Sequence, residues 1–236
     1  MPHDRSPMAL TPELVALVER MERDPGPPAG EREQTPRELA AMARAVLAGK
    51  GDGPLWLFAY GSLIWKPDFV HAAAVRATAA GWHRSFCLRL TRWRGTPEVP
   101  ALMMALDRGG SCSGIAYLLP DEDHHAQVVR LLLRETDGNP PTNVARWVTV
   151  RTADGPQQAL AFTASPKGRA YAGRLAHADI ARTLAVAAGH WGSAAQYLYN
   201  TVSKLEESGI RDRNLWALQA LVAEEIRRNH RLTRAA

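Results

Sequence analysis

Residues 57–65 read Leu-Phe-Ala-Tyr-Gly-Ser-Leu-Ile-Trp, an apolar run interrupted by Tyr-Gly-Ser. The run favours a β-strand, and Gly61 permits a sharp turn at its end because glycine has no Cβ atom. Successive backbone N–H groups at such a turn can form a concave anion site suited to a carboxylate. An ordinary strand-end turn capped by Ser62 fits the same residues. The stretch therefore predicts a strand and a tight turn, with an anion site as one of two interpretations.

Outward from this stretch, short β-favouring runs are separated by Gly, Pro or Asp residues. Such spacing is typical of short strands joined by turns. The runs that predict strands are Leu55–Tyr60, Ala74–Ala79, Trp82–Leu90, Ala101–Leu106, Gly114–Leu119, Arg146–Thr152 and Gln157–Thr163. The last two flank the turn Asp154-Gly155 and predict a hairpin.

Helices are predicted on both sides of this β-rich region. Near the N-terminus, Thr11-Pro12 starts one with Leu14, Leu17, Val18 and Met21 on one face, and Thr35 with Glu38 forms a capping box for a second. Further predicted helices begin at the caps Asp121, Ser193 and Asp212, and another carries Ile180, Leu184 and Val186. A β-rich middle wrapped by helices predicts an α+β fold rather than alternating βαβ units.

The chain has 236 residues, 46% of them hydrophobic, and a formal net charge of +5. Its length suits one well-packed domain. The basic residues are dispersed, and no aromatic-basic motif of an RNA or DNA module accompanies them, so nucleic acid is not a predicted partner. An anionic small substrate fits the charge equally well.

Neither a membrane span nor a secretory signal peptide is predicted from the sequence. The longest apolar runs are too short to span a bilayer, and the N-terminus lacks the basic, apolar and small-residue order of a signal peptide. The prediction is a cytoplasmic protein without a membrane partner. Cys87 and Cys112 lie in strand-like runs and are predicted to be buried free thiols rather than a disulfide.

Two carboxylates are candidates for chemistry. Glu135 ends the predicted middle helix, where the helix dipole disfavours ionisation and raises the pKa of a carboxyl group toward the range of a general base. A solvated surface glutamate beside Arg134 is the plainer interpretation. Glu98, in the loop Arg92–Glu98, could also act or bind, although loop charges often only face water.

Other chemistries lack their motifs. His124-His125 has neither the spacing nor the partner glutamate of a zinc helix, and the sequence holds no Cys-x-x-Cys, P-loop or Gly-x-Gly-x-x-Gly. Ser62 is not part of Gly-x-Ser-x-Gly, so a hydrolase nucleophile elbow has no support. No metal or cofactor is predicted. The β-region tryptophans are predicted to be core residues: Trp56, Trp65, Trp82 and Trp93.

The run Phe58–Phe69 resembles the opening signature of the ChaC-type γ-glutamylcyclotransferases. Further motifs follow in that family's order: Gly81-Trp-His-Arg84, Arg94-Gly-Thr-Pro-Glu98, Gly114-Ile-Ala-Tyr117, Arg134-Glu135, Tyr171-Ala-Gly173 and Tyr197-Leu198. The resemblance covers roughly residues 55–222. The chain differs from the family pattern at Gly138-Asn139, where a Gly-Tyr is usual, at Pro100-Ala101 and at Ser193-Ala194.

The resemblance implies a fold and a site. The fold would be a small closed or nearly closed, mixed or antiparallel β-barrel surrounded by helices. A γ-glutamyl group would be held chiefly by backbone N–H groups of the loop Ala59, Tyr60, Gly61, Ser62, Leu63 and Ile64, and Glu135 would be the catalytic acid/base. In this reaction the substrate's own α-amine attacks its γ-carbonyl, so neither an enzyme nucleophile nor a cofactor is needed.

The implied function is cleavage of glutathione to 5-oxoproline and Cys-Gly. One alternative is the same reaction on another γ-glutamyl amine or peptide, and another is a catalytically silent homologue that binds a γ-glutamyl ligand or a protein. Residues 1–52 are predicted to be a helical extension packed on the core, and residues 53–236 the γ-glutamylcyclotransferase-like domain. The sequence leaves the oligomeric state open.

Overall fold

A computed structural model describes residues 7–136 and 138–231. Residues 1–6, 137 and 232–236, which belong to the two predicted domain ranges, lie outside the described residues. The elements follow in the order α1 (Pro12–Ala16), α2 (Pro36–Ala48), β1 (Trp56–Ala59), α3 (Ser62–Trp65), β2 (Ala73–Leu90), β3 (Ala101–Leu118), α4 (His124–Glu135), β4 (Asn143–Thr152), β5 (Gly155–Ala164), α5 (His177–Leu184), β6 (Ala188–Gly189), β7 (Gly192–Ser193), α6 (Ala194–Glu207) and α7 (Arg213–Asn229).

Strands β1 to β5 close into a barrel with the order β1-β3-β2-β4-β5, and β3 also pairs with β5. Strand β1 is antiparallel to β3, with Trp56 opposite Leu118, and parallel to β5, with Trp56 opposite Ala159. Strands β4 and β5 form the predicted hairpin at the Asp154-Gly155 turn. Closure gives each of these five strands a partner on both sides. The predicted α+β fold with a small mixed barrel is confirmed.

Two long strands replace four predicted short ones. Strand β2 includes both Ala74–Ala79 and Trp82–Leu90, and β3 includes Ala101–Leu106 and all of Gly114–Leu119 except its last residue. The break was predicted at Gly81, which has φ of 79° inside β2. Glycine takes this conformation at little cost, so the chain can bend there as in a bulge while the strand continues.

The helix starts are partly as predicted. The capping box of Thr35 and Glu38 is present at the start of α2. Helix α4 begins two residues later than predicted. The carboxylate of Asp123, and not that of Asp121, caps the helix by accepting the backbone N–H of Ala126 at 3.0 Å.

Two predicted apolar helix faces are shorter in the structure. Helix α1 ends at Ala16, and beyond it Leu17 is 42% exposed and Met21 fully exposed. Helix α5 ends at Leu184, which leaves Val186 exposed as well. In both cases the apolar residues keep a helical spacing in the sequence beyond the residue at which the helix ends.

The chain forms two compact units. The barrel unit comprises Pro27–Arg89 and Met103–Arg174, and in it α2 packs against α4. The helical unit comprises the residues up to Gly26, Leu90–Leu102 and those from Leu175 onward, and in it α7 packs against α5 and α6. The division of the chain at residues 52 and 53 stays a prediction.

Three further predictions concern the cysteines, the tryptophans and membrane-spanning helices. Cys87 and Cys112 are buried free thiols, as predicted. Of the four tryptophans predicted to be core residues, Trp82 is buried, whereas Trp56, Trp65 and Trp93 are only half-buried. None of the helices in the described residues combines the length and apolar character that a bilayer span requires.

Candidate active site

Residues 57–65 form the end of a strand, a turn and one turn of helix. Strand β1 ends at Ala59, and α3 starts at Ser62, where the Ile64 N–H donates to the Gly61 carbonyl at 2.9 Å. Tyr60, Leu63 and Ile64 are at most 6% exposed. With these side chains buried, the loop Ala59–Ile64 can offer a ligand the Ser62 hydroxyl and the backbone N–H groups that begin a helical turn.

Buried hydrogen bonds fix this loop to the barrel. The Tyr60 hydroxyl donates to the Phe162 carbonyl of β5 at 2.8 Å. Arg84 of β2 is 6% exposed, and its Nε donates to the Tyr60 carbonyl at 2.7 Å while Nη2 donates to the Ser113 carbonyl of β3. The planar guanidinium therefore holds the loop and β3 in one fixed geometry.

Strand β3 passes very close to the loop at Gly114. A Cβ atom there would lie 2.3 Å from the Ala59 carbonyl oxygen and 2.9 Å from the Phe58 ring. No side chain fits in this space, so glycine is required for the pairing of Ala59 with Ile115.

Glu135 is the last residue of α4, and its side chain is only 15% exposed. Burial raises the pKa of its carboxyl group to about 7, against the lowering effects of the charge and hydrogen bond of Arg134, whose Nε lies 3.0 Å from Oε1. The backbone carbonyl of Glu135 accepts a hydrogen bond from Asn143 Nδ2 at 2.7 Å. The solvated-surface interpretation of Glu135 is therefore wrong. The pKa of Glu135 is raised, as predicted, and burial is the cause of the rise.

This burial predicts a pH-dependent stability difference for Glu135→Gln. Because the folded-state pKa of about 7 exceeds the ordinary glutamate value of 4.5, the folded protein retains a proton that the unfolded chain releases between those pH values. The free energy of unfolding of the wild type therefore falls as pH rises through this window. Relative to that of the wild type, the free energy of unfolding of Glu135→Gln should rise by about 2 kcal/mol between pH 5 and pH 8.

Urea unfolding of both proteins at pH 5 and pH 8 measures this difference. The control is Glu98→Gln, which changes an exposed carboxylate in the same way. A Glu135→Gln effect that does not change between pH 5 and pH 8 would contradict the buried state of this carboxyl group.

A second ion pair extends from Glu135 toward the loop. Arg134 Nη1 lies 3.0 Å from Oδ2 of Asp68, which follows Ile64 by four residues. Asp68 and Arg134 both line a groove of about 320 Å³, together with Phe69, Val70 and Leu131 among others. Arg134 thus links Glu135 to Asp68, in the segment that follows the loop, while neither Glu135 nor any residue of the loop Ala59–Ile64 lines the groove itself.

The third sequence candidate lies in the helical unit. Glu98 is exposed there. Its neighbour Arg94 is buried, and Nη1 donates to the Ser193 carbonyl at 2.9 Å and to Oε1 of Gln196 at 3.2 Å. These contacts give Arg94 a role in packing the start of α6. Glu98 is exposed, whereas the side chain of Glu135 is largely buried.

The buried environment of Cys87 disfavours thiolate chemistry. Burial, with a smaller contribution from the charge of Asp107, raises the pKa of the Cys87 thiol to about 12. A thiol with such a pKa is a poor nucleophile at neutral pH. Within residues 7–136 and 138–231, His, Cys, Asp and Glu side chains form no group of three or more that could hold a metal ion.

The sequence reasoning missed three residues of this site. Arg84 lies within a family motif and Asp68 within the opening run, so both were quoted but neither was given a role. Asn143 had no signal, since it follows a Pro-Pro pair outside any motif. All three act through contacts between residues distant in sequence or through backbone carbonyls, which local patterns do not encode.

Comparison with known proteins identifies relatives. A family model described as ChaC-like protein matches residues 55–225. The glutathione-specific γ-glutamylcyclotransferase of Escherichia coli K12 is 38% identical over 182 residues, which cover 75% of this chain and 77% of the relative. The glutathione-specific γ-glutamylcyclotransferase 1 of mouse is 30% identical over 180 residues, covering 74% of this chain and 81% of the relative.

A solved structure has the same fold. A crystal structure of the yeast γ-glutamylcyclotransferase specific to glutathione matches with a TM-score of 0.65 and 22% sequence identity, over 74% of this chain and 97% of the yeast chain. At this identity the likeness supports the barrel fold and not the function.

Proposed function

The chain belongs to the ChaC-like family, and on this premise we propose that it is a γ-glutamylcyclotransferase that cleaves glutathione to 5-oxoproline and Cys-Gly. The observation that carries the proposal is the buried carboxyl group of Glu135, with a pKa of about 7, at the end of α4. A carboxyl group with this pKa can accept and return a proton at neutral pH. The names of the E. coli and mouse relatives support glutathione as the substrate.

The proposed chemistry is an intramolecular transfer. The α-amine of the γ-glutamyl group attacks its own γ-carbonyl carbon, and Glu135 takes the proton that the amine loses. The new C–N bond closes a five-membered lactam. The bond between the γ-carbon and the cysteine nitrogen breaks as Glu135 returns the proton to that nitrogen. No water is consumed, and the products are 5-oxoproline and Cys-Gly.

The loop Ala59–Ile64 is the proposed γ-glutamyl site. Its side chains are mostly buried, so the groups it offers are backbone N–H donors and the Ser62 hydroxyl. Such donors suit the α-carboxylate of the substrate, and those near Gly61–Leu63 could stabilise the oxyanion that develops on the γ-carbonyl. The buried bonds from Arg84 and Tyr60 would keep these donors in place before the substrate binds.

The experiment is an assay of product identity. The wild type is incubated with glutathione, γ-glutamylcysteine and a γ-glutamyl amine, and 5-oxoproline and the released amine are quantified by mass spectrometry. We expect equimolar 5-oxoproline and Cys-Gly from glutathione at a higher kcat/KM than for the other substrates. Faster turnover of another substrate would favour a cyclotransferase of different specificity. No 5-oxoproline from any of them would contradict the proposal and favour a silent homologue.

The proposed compartment is the cytoplasm. Cys87 and Cys112 are both free thiols, which suits a reducing environment. No nucleic-acid or membrane partner is proposed, because the substrate is a small anionic peptide and the basic residues are dispersed.

A further inference from the structure

We propose that Asp68 is a positioning residue: it holds the guanidinium group of Arg134 against Glu135 and so ties the catalytic carboxyl group to the segment that follows the loop Ala59–Ile64. The inference rests on the proposed function in one respect, since it gives Asp68 a role in the same reaction. Asp68 itself is not placed in contact with the reacting atoms.

The geometry comes from one guanidinium group that contacts two carboxylates. Nε of Arg134 lies 3.0 Å from Oε1 of Glu135, and Nη1 lies 3.0 Å from Oδ2 of Asp68. Because the guanidinium is planar and rigid, its contact with Asp68 determines the direction in which Nε points. Without Asp68, Arg134 could rotate about its side-chain bonds into the groove that it lines.

The segment that follows Asp68 packs against strand β3. The Phe69 ring packs edge-on against the Tyr117 ring of β3 at 5.3 Å, and the His71 ring lies 4.8 Å from the same tyrosine. The Ala72 N–H donates to the Leu118 carbonyl at 2.8 Å. Tyr117 pairs with Leu57 of β1, the strand that leads into the loop. The segment directly after Asp68 is thus anchored to the part of the barrel that carries the loop.

A contribution to stability does not explain the Asp68–Arg134 pair. The Asp68 side chain is 55% exposed and that of Arg134 20% exposed. Ion pairs this exposed typically stabilise a fold by less than about 1 kcal/mol. The inner partner, Glu135, is only 15% exposed, so the orientation of Arg134 has its main consequence there.

Of the other charged groups near α4, Glu38 has partners of its own. Helix α2 packs against α4, and its Glu38 is paired with Arg32 and accepts a hydrogen bond from Asn139. The remaining charged side chains of α2 are Arg37 and Arg44, and α4 also carries Arg130. Glu122 and Asp123 line the groove. Arg134 is the charge that lowers the pKa of Glu135 against the effect of burial.

Two variants separate positioning from charge. Asp68→Ala removes the acceptor for Arg134, whereas Asp68→Asn removes the charge but keeps an acceptor of the same shape. If Asp68 positions Arg134, Asp68→Ala raises the pKa of Glu135 by about one pH unit, because the positive guanidinium of Arg134 is no longer held beside the Glu135 carboxylate. Asp68→Asn then leaves the pKa unchanged or slightly lower. If Asp68 acted only as a negative charge, both variants would lower it.

The measurement is a carbon-13 NMR titration of the Glu135 carboxyl group, assigned by its loss in Glu135→Gln, together with the pH profile of kcat/KM for glutathione. For Asp68→Ala we expect the acidic limb to move to higher pH and kcat/KM at pH 7 to fall about fivefold, with unfolding in urea unchanged. Glu122→Ala, which removes an exposed carboxylate of the same groove, is the control and should match wild type.

A Glu135 midpoint that is unchanged or lowered in Asp68→Ala would overturn the inference. The NMR titration decides this point whether or not the wild type cleaves glutathione. An inactive wild type would therefore contradict the proposed function alone, and a missing shift would contradict the positioning role alone.

Discussion

Glu135→Gln is expected to lower kcat for glutathione about 1,000-fold at pH 7.5, with KM changed less than about threefold. Glutamine keeps the shape and burial of the side chain but cannot accept the proton from the substrate α-amine. The group is needed for proton transfer in the transition state and not for binding the γ-glutamyl group, so the loss should appear in kcat. Steady-state measurement of 5-oxoproline release gives both constants.

The matched control for this variant is Glu98→Gln, which changes the other carboxylate that the sequence pointed to. Glu98 is exposed and lies in the helical unit, and its removal should leave kcat within about twofold of wild type, as is usual for surface substitutions. An active Glu135→Gln, or a Glu98→Gln with the larger loss, would show that the acid/base residue is misassigned.

Arg84→Lys is expected to raise KM for glutathione about tenfold or more, equivalent to about 1.4 kcal/mol of binding free energy. The Arg84 guanidinium donates to the Tyr60 and Ser113 carbonyls in two fixed directions, which a single ammonium group cannot reproduce. The loop would then lose the geometry that presents its N–H groups. Arg84→Met should also lower the free energy of unfolding by about 2–4 kcal/mol, since it leaves buried carbonyls without their charged donor.

The control is Arg89→Lys, because Arg89 lies on the same strand with an exposed side chain. It should leave KM and stability near the wild-type values. Steady-state kinetics and urea unfolding of the three variants measure both effects. A wild-type KM in Arg84→Lys would mean that the loop does not need this bond to bind the γ-glutamyl group.

The local features of the fold could be predicted from the sequence. The apolar run into Tyr60-Gly61-Ser62 predicted a strand and a tight turn, and the capping residues Thr35 and Asp212 predicted helix starts that the structure contains. Each of these depends on side chains and backbone groups within four residues of one another. Such interactions are written into a short stretch of sequence.

The long strands could not be predicted in the same way. A glycine with positive φ at Gly81 has the same sequence signature whether it ends a strand or bends one. The outcome depends on whether a neighbouring strand continues alongside, as it does in a closed barrel. Barrel closure is a property of the whole chain, and the family resemblance predicted it where the glycine pattern could not.

The roles of the site residues stay predictions, and only their surroundings can be compared with the structure. The sequence pointed to Glu135 and to the loop Ala59–Ile64, but it gave the helix dipole as the cause of the raised pKa, whereas in the structure burial raises it. The degree of burial depends on packing that local sequence does not specify. The Arg134–Asp68 pair joins residues 66 positions apart, and the Arg84–Tyr60 bond ends on a backbone carbonyl that every residue possesses.

The central claim is that the substrate cleaves its own γ-glutamyl bond. The most direct test is to let the wild-type protein act on glutathione in water enriched in oxygen-18 and to identify the labelled product by mass spectrometry. The account predicts unlabelled 5-oxoproline and an equal amount of Cys-Gly, because the α-amine and not water attacks the γ-carbonyl. Glutamate that carries oxygen-18 would show hydrolysis and contradict the account.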